Sequence, residues 1–225
     1  MSRFFVGITG GSGHPYSVAL VRALLENGQE VDTAITEAGL KVLKHEVGLD
    51  AGPDGAELAK VLEQRLGKRY GERLRAFASK AIEAPPSSGT ALTGGVVLCP
   101  CSMGTLARVS VGFSSNLVER AADVALKERR PLVLVVREAP YSSLHLENML
   151  RLSRLGAVIL PASPGFYHLP KSLDDVVEHV VGKVLDTLRV PHGVGARWKG
   201  LPKPDEDDGT GRPAPKDPLA EDGEA

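Results

Sequence analysis

The chain has 225 residues and a formal net charge of -1, long enough for a substantial single-domain core and too balanced for a global pull towards nucleic acid or anionic lipid. No apolar run approaches the ~20 residues needed to span a bilayer, no signal-peptide pattern is read at the N-terminus, and the six histidines form no HxH or HExxH pattern. The two cysteines, Cys99 and Cys101, are too few for a secreted disulfide framework, and their spacing disfavours a mutual bridge. The expectation is a cytoplasmic protein with no nucleic-acid, membrane or metal partner.

Arg3 to Thr9, RFFVGIT, reads as an apolar first strand. It runs into Gly10-Gly11-Ser12-Gly13 and an amphipathic helix from Tyr16 to Glu26. Strand, glycine turn and helix make a phosphate- or flavin-binding start. The glycines let a ligand approach the backbone, and the helix N-terminus offers N–H groups and positive potential. The glycines at 7, 10, 11 and 13 do not spell GxGxxG, so a plain tight turn is the other reading. Gln29 to Ile35 is a second strand. Thr36 follows as a helix cap or a phosphate contact, then a helix from Ala38 to His45. Glu46 closes that helix, where a carboxylate opposes the macrodipole; it is either functional or a solvated surface group. Residues 56–80 are charged and helix-prone. Pro85 to Thr90, PPSSGT, suits an oxyanion cradle or an ordinary linker.

The centre of the chain carries two short uncharged runs rich in β-branched residues, Gly95 to Cys99 and Pro131 to Val136. Both read as strands buried on two faces of a parallel sheet. Each ends in polar chemistry, Pro100 to Thr105 and Arg137 to Pro140, with a helix from Asn116 to Arg130 between. Ligands of open α/β sheets bind beyond the carboxyl ends of the strands, so these loops read as two walls of one site. Ser143 to Arg154 is a helix with Leu144, Leu146, Met149, Leu150 and Leu152 as its apolar face. Ala157 to Leu160 reads as another short buried strand. Phe166 and Tyr167 follow in a Pro/Gly loop, able to stack on a flat or alkenyl ligand or to fill the core. Ser172 caps a helix reaching Leu188 and containing Lys183. Trp198 lies after the last regular element, in an interface or lid position. From Lys199 to Ala225 the chain is Pro, Gly and acidic residues, read as a disordered tail behind a single domain of residues 1–198. Strands and helices alternate throughout, which argues for a right-handed parallel α/β sheet.

The motifs CPCSMGTL, NLVERAADVALKERRPLVLVVREAP, HLENML, GAVILP, PGFYH and SLDD, with the N-terminal GGSG, together resemble the UbiX flavin prenyltransferase family over nearly all of residues 3–198. The resemblance implies a Rossmann-like or flavodoxin-like three-layer sandwich with a mainly parallel sheet, assembled as a homododecamer with active sites between subunits. It implies transfer of a dimethylallyl unit from dimethylallyl phosphate to N5 and C6 of reduced FMN. The prenylated FMN would then serve a UbiD-type decarboxylase, and no metal is expected. Gly10, Gly11, Ser12, Thr36, Ser102, Met103, Gly104, Thr105 and Arg137 match cofactor positions. Ser88, Arg120, Lys127, Arg137, Glu138, Tyr167 and Lys183 match positions around the prenyl phosphate, and Trp198 matches a tryptophan that closes the site. Glu138 is the expected acid for the leaving phosphate. Ser12 and Glu46 match residues acting after the first bond forms. The chain departs from the family pattern at Glu37, usually lysine, at Lys183, often arginine, and at Gly11, His14 and Pro15. Two other readings remain: an FMN carrier without turnover, and a flavin-dependent cysteine decarboxylase of related fold.

Overall fold

The computed structural model describes residues 1–91, 93–198 and 200, so the tail expected from residue 199 lies outside them apart from Gly200. Six strands, β1 (Arg3–Ile8), β2 (Glu30–Ile35), β3 (Leu74–Phe77), β4 (Gly95–Cys101), β5 (Leu132–Val136) and β6 (Val158–Pro161), form one sheet. Their order is β3-β2-β1-β4-β5-β6, and every neighbouring pair is parallel. The helices are α1 (His14–Glu26), α2 (Glu37–Val47), α3 (Leu58–Leu66), α4 (Met103–Ser110), α5 (Leu117–Lys127), α6 (Ser143–Arg154) and α7 (Leu173–Thr187). The α/β class is as expected. The strand order is that of a doubly wound sheet whose chain reverses direction between β1 and β4.

Two apolar cores sandwich the sheet. Val6, Ile8, Val31, Val97 and Val133 face one core with Leu20 and Leu24 of α1, Leu43 of α2, Leu58 of α3 and Val180 and Val184 of α7. Phe5, Val96, Leu98, Leu132 and Leu134 face the other with Leu106 of α4, Ala121 and Ala125 of α5 and Leu152 of α6. Alternating side chains in β1, β4 and β5 thus reach opposite cores, which is why these strands carry no charge beyond Arg3 at the start of β1. At Gly7 α5 packs tightly on the sheet: a Cβ there would lie 2.7 Å from both Leu98 and Val118 side chains.

The structure departs from the sequence reading in four places. The helix-prone stretch 56–80 holds the nine-residue α3, a single 3-10 turn at Gly71–Arg73 and then the edge strand β3. The polar run after Cys101 is not all loop but contains α4, started by Ser102, whose hydroxyl accepts the Thr105 N–H at 3.3 Å. β6 is an edge strand with Val158 41% exposed, not a buried one. Of the expected apolar face of α6, only Met149 and Leu152 enter the core, while Leu144, Leu146 and Leu150 are exposed.

β4 shows how one irregularity redirects side chains. Residues two apart in a regular strand share a face. The register with β5 shifts between Leu98 and Cys101, and Cys99 and Cys101 enter opposite cores. Both are free and buried. Burial, joined by the neighbouring Cys101, pushes the Cys99 thiol far above its ordinary range; burial pushes Cys101 to about 12 despite the opposing pull of Arg108. Neither can act as a thiolate near neutral pH. Both should therefore resist alkylation in the native protein at pH 8 and react fully in denaturant. Rapid modification of either in the folded chain, read by intact mass, would contradict this burial.

Candidate functional site

The site is built where β1 and β4 end side by side. Thr9, fully buried just past β1, joins them: its N–H and hydroxyl both donate to the Pro100 carbonyl, at 3.3 and 2.7 Å. Its hydroxyl oxygen accepts the Ser102 N–H at 2.8 Å. The Gly10–Gly13 turn therefore lies against the start of α4. A Cβ on Gly11 would sit 3.5 Å from the Ser102 nitrogen, and one on Gly10 would press to 2.7 Å from Ala38 Cβ in the first turn of α2. Gly13 has φ +116, a conformation that favours glycine.

Three helix N-termini open on this edge. Thr36 caps α2 by accepting the Gly39 N–H at 3.1 Å, the cap of its two expected roles. Ser102 caps α4, while the N–H groups of Met103 and Gly104 make no hydrogen bond among the described residues. α1 has no side-chain cap of its own at Gly13. Glu46 supplies it from the end of α2, its Oε2 accepting the N–H groups of Gly13 at 2.9 Å and His14 at 2.8 Å. The carboxylate that opposes the dipole of its own helix thus complements that of another. Burial pushes Glu46 up, but hydrogen bonds from the Ser12 hydroxyl and the Gly13 and His14 N–H groups outweigh it, and the carboxyl lies below its ordinary value. Ser12 and Glu46 are brought together as paired residues.

From the β5 side, Arg137 closes the edge by donating from Nε to the Ser12 carbonyl at 3.3 Å. Glu138 stands beside it, half-buried, its Oε1 accepting the Ala139 N–H at 3.1 Å. The post-strand loops of β1, β4 and β5 therefore meet, so the site has three walls rather than the two expected. A cradle of glycine backbone, two free helix N–H groups and a guanidinium fits a flavin mononucleotide, whose phosphate and ring need backbone approach and cationic donors.

The remaining expected residues lie elsewhere. Tyr167 packs edge-on to Trp198 at 5.3 Å and to His179 at 5.5 Å, and these line one cleft with Lys183, whose Nζ is 3.7 Å from Asp186. His179 stacks flat on His168 at 4.8 Å; burial first, then His168 and Lys183, holds its ring below the ordinary histidine range. Arg120, near the start of α5, pairs with Asp123 at 2.7 Å. Ser88 and Lys127 sit at the opposite, amino edge of the sheet: Lys127 ends α5 just before β5 and pairs with Glu128, and Arg130 donates to the Gly89 carbonyl. One chain does not bring Ser88 and Lys127 to Ser12 and Arg137.

Sequence reasoning gave no role to Thr9, Arg108, Glu119 and His179, and noted His14 only as a departure from the family pattern. His14 is fully buried, its Nε2 3.1 Å from the Thr9 carbonyl, and burial holds its pKa low despite Glu46. Its position three residues after Gly11, where the helix begins, was the available signal. No helix among the described residues is long and apolar enough to cross a membrane, and no group of three or more His, Cys, Asp or Glu there could hold a metal ion.

The Flavoprotein family model matches residues 1–185. The flavin prenyltransferase UbiX of Pseudomonas aeruginosa is 48% identical over 198 residues, 87% of this chain and 93% of that protein. The chain belongs to the UbiX flavin prenyltransferase family. Among solved structures, AnUbiX (PadA1) in complex with FMN and dimethylallyl pyrophosphate is 34% identical, with TM-score 0.78 over 89% of this chain and 99% of that one. A dodecameric FMN-dependent UbiX-like decarboxylase from Escherichia coli O157:H7 is 38% identical, with TM-score 0.77 over 88% of this chain and 100% of that one.

Replacing Glu46 tests its double placement. Because the folded-state pKa is depressed, its contribution is complete above the unfolded carboxylate value and is lost as pH falls through the folded one. Glu46→Gln should cost about 1–2 kcal/mol at pH 7. The gap from the native chain should close as the solution is acidified below about pH 4. Thermal melts across pH measure it, and a gap that stays constant with pH would show that the charge holds nothing.

Proposed function

We propose that the chain is a flavin prenyltransferase that joins a dimethylallyl group to N5 and C6 of reduced FMN. The observation that carries this reading is the convergence of Gly10–Gly13, Ser102–Thr105, Arg137, Glu138 and the Ser12–Glu46 pair on one edge of the sheet, in a chain of the UbiX family. Reduced FMN, when bound, supplies the electron-rich ring positions that accept the prenyl unit. The protein's part is to hold the two reactants and manage charge.

Breaking the allylic C–O bond places negative charge on phosphate. Arg137, exposed at the β5 end, stabilises it, and Glu138 beside it donates the proton to the leaving phosphate. The second bond consumes the prenyl double bond: its neighbouring carbon takes up a proton, made good by the one released at N5, while C6 bonds to the far carbon and loses its own proton. Ser12 passes it to Glu46, whose carboxylate is held ionised by the N–H groups it caps. Ser88, Arg120, Lys127 and Lys183 complete the phosphate environment only if neighbouring copies supply those not on the same edge. The exposed Leu144, Leu146 and Leu150 of α6 offer an apolar face for such assembly, in keeping with a dodecamer. Tyr167 and Trp198 form an aromatic wall suited to an allylic chain. The donor is a dimethylallyl phosphate of either phosphate count, and the product serves a UbiD-type decarboxylase. The cysteine-decarboxylase alternative lacks an asparagine in the 87–90 loop.

The test is anaerobic incubation with reduced FMN and dimethylallyl mono- or diphosphate, followed by mass spectrometry of the flavin. A gain of one C5 unit is expected. Glu138→Gln should keep FMN affinity but slow transfer by ~100-fold or more. Unmodified flavin with both donors would favour the carrier, and full activity of Glu138→Gln would remove the acid role.

A further inference from the structure

The first turn of α4 is held by an ion pair between a partly exposed Arg108 and a buried Glu119 that the proposed chemistry leaves unused. Glu119, in the first turn of α5, is 0% exposed. Its Oε2 accepts the Ser115 N–H and the Ser115 hydroxyl, both at 2.8 Å, and its Oε1 accepts from Arg108 Nε at 2.5 Å. Burial pushes the carboxyl up, but Ser115 and Arg108 outweigh it and hold the group below its ordinary value. A carboxylate buried this fully persists only because both oxygens are engaged.

Arg108 extends the network from α5 into the candidate flavin site. Its Nη2 donates to Thr105 Oγ1 at 3.3 Å. Ser102 Oγ also donates to Thr105 Oγ1, at 3.1 Å, while accepting the Thr105 N–H. A guanidinium can only donate, so it fixes Thr105 Oγ1 as an acceptor and both hydroxyl side chains fold back on the helix. The Met103 and Gly104 N–H groups stay outside this network. Arg108 also passes beside Gly104: a Cβ there would be 3.5 Å from Nη1, which has no acceptor among the described residues.

The geometry points to Arg108, anchored by Glu119, as a positioning residue that orders the first turn of α4 for the flavin. The inference rests on the FMN reading above. Lysine donates from one nitrogen and cannot reproduce the separate Nε and Nη2 contacts that Arg108 makes to Glu119 and Thr105. Arg108→Lys keeps a cation for Glu119 while releasing Thr105. A companion variant, Arg108→Ala with Glu119→Gln, removes both charges and leaves no unpaired buried carboxylate.

The experiment titrates full-length native protein and both variants with oxidised FMN, followed by flavin fluorescence, alongside melts of the flavin-free proteins. The expected result is an FMN Kd raised about tenfold in each variant, with the melting temperature of Arg108→Lys unchanged. Variants that bind FMN as tightly as the native chain, or lose affinity only in step with melting temperature, overturn the inference and reduce the pair to a tie between helices. A native chain that binds no FMN overturns the flavin reading itself, and this inference with it.

Discussion

The pairing of β1 with β4 is the constraint on which the rest of the structure depends. The chain winds outward from β1 to β3, then crosses to β4 and winds the other way. The two strands that begin the opposite halves lie side by side, and the loops that follow them must diverge to opposite faces. That divergence opens a crevice which no other strand pair offers. Thr9 keeps the crevice narrow by spending its N–H and hydroxyl on the Pro100 carbonyl and by accepting the Ser102 N–H. Glycine turn and α4 cap are therefore fixed relative to each other before any ligand arrives, as a preorganised site requires.

Glu46 illustrates how a locally poor residue is settled by tertiary contact. At the end of α2 it gains nothing from its own helix. At the start of α1, which lacks a side-chain cap, it accepts two N–H groups that would otherwise be unpaired. The same carboxylate faces Ser12. Its capping bonds keep it ionised but weaken it as a base, so in the proposed reaction it suits only a proton as acidic as the one released when C6 bonds.

Much of the fold was legible because parallel strands buried on both faces have an unmistakable composition. The uncharged β-branched runs of β4 and β5 formed strands, and the caps expected at Thr36 and Ser172 both formed. β3 was hidden because an edge strand needs only one buried face, so its Leu-Arg-Ala-Phe alternation sank among flanking charges. α4 was hidden because Pro100 and two small residues dominated the local signal. The leucines of α6 misled for a different reason: periodicity reports that a face is apolar, not which surface covers it. In the site, the glycine turn and the Ser12–Glu46 pair were visible from the family motifs. Thr9 and Arg108 lie outside the quoted motifs, and Glu119 lies inside one without any sign of its partner, since their roles arise only when separate strands and helices meet.

The split of the expected phosphate-binding residues between two edges is itself informative. In a parallel sheet the carboxyl edge carries the post-strand loops and the amino edge carries the ends of the returning helices. Lys127, at the end of α5, is bound by topology to the amino edge, and Ser88 joins it through the 88–90 loop beside Glu128 and Arg130. No side-chain rotation could carry either across the height of the sheet to Arg137. The proposed chemistry needs cations around one phosphate, so it demands that a neighbour's amino edge face this chain's carboxyl edge. Such a head-to-tail contact is heterologous, and a heterologous contact builds a ring where its rotation closes and a filament where it does not. The exposed leucines of α6 are a surface on which such closure could be built. Activity would then be a property of the assembly, and a folded isolated chain would bind flavin while lacking part of its phosphate site.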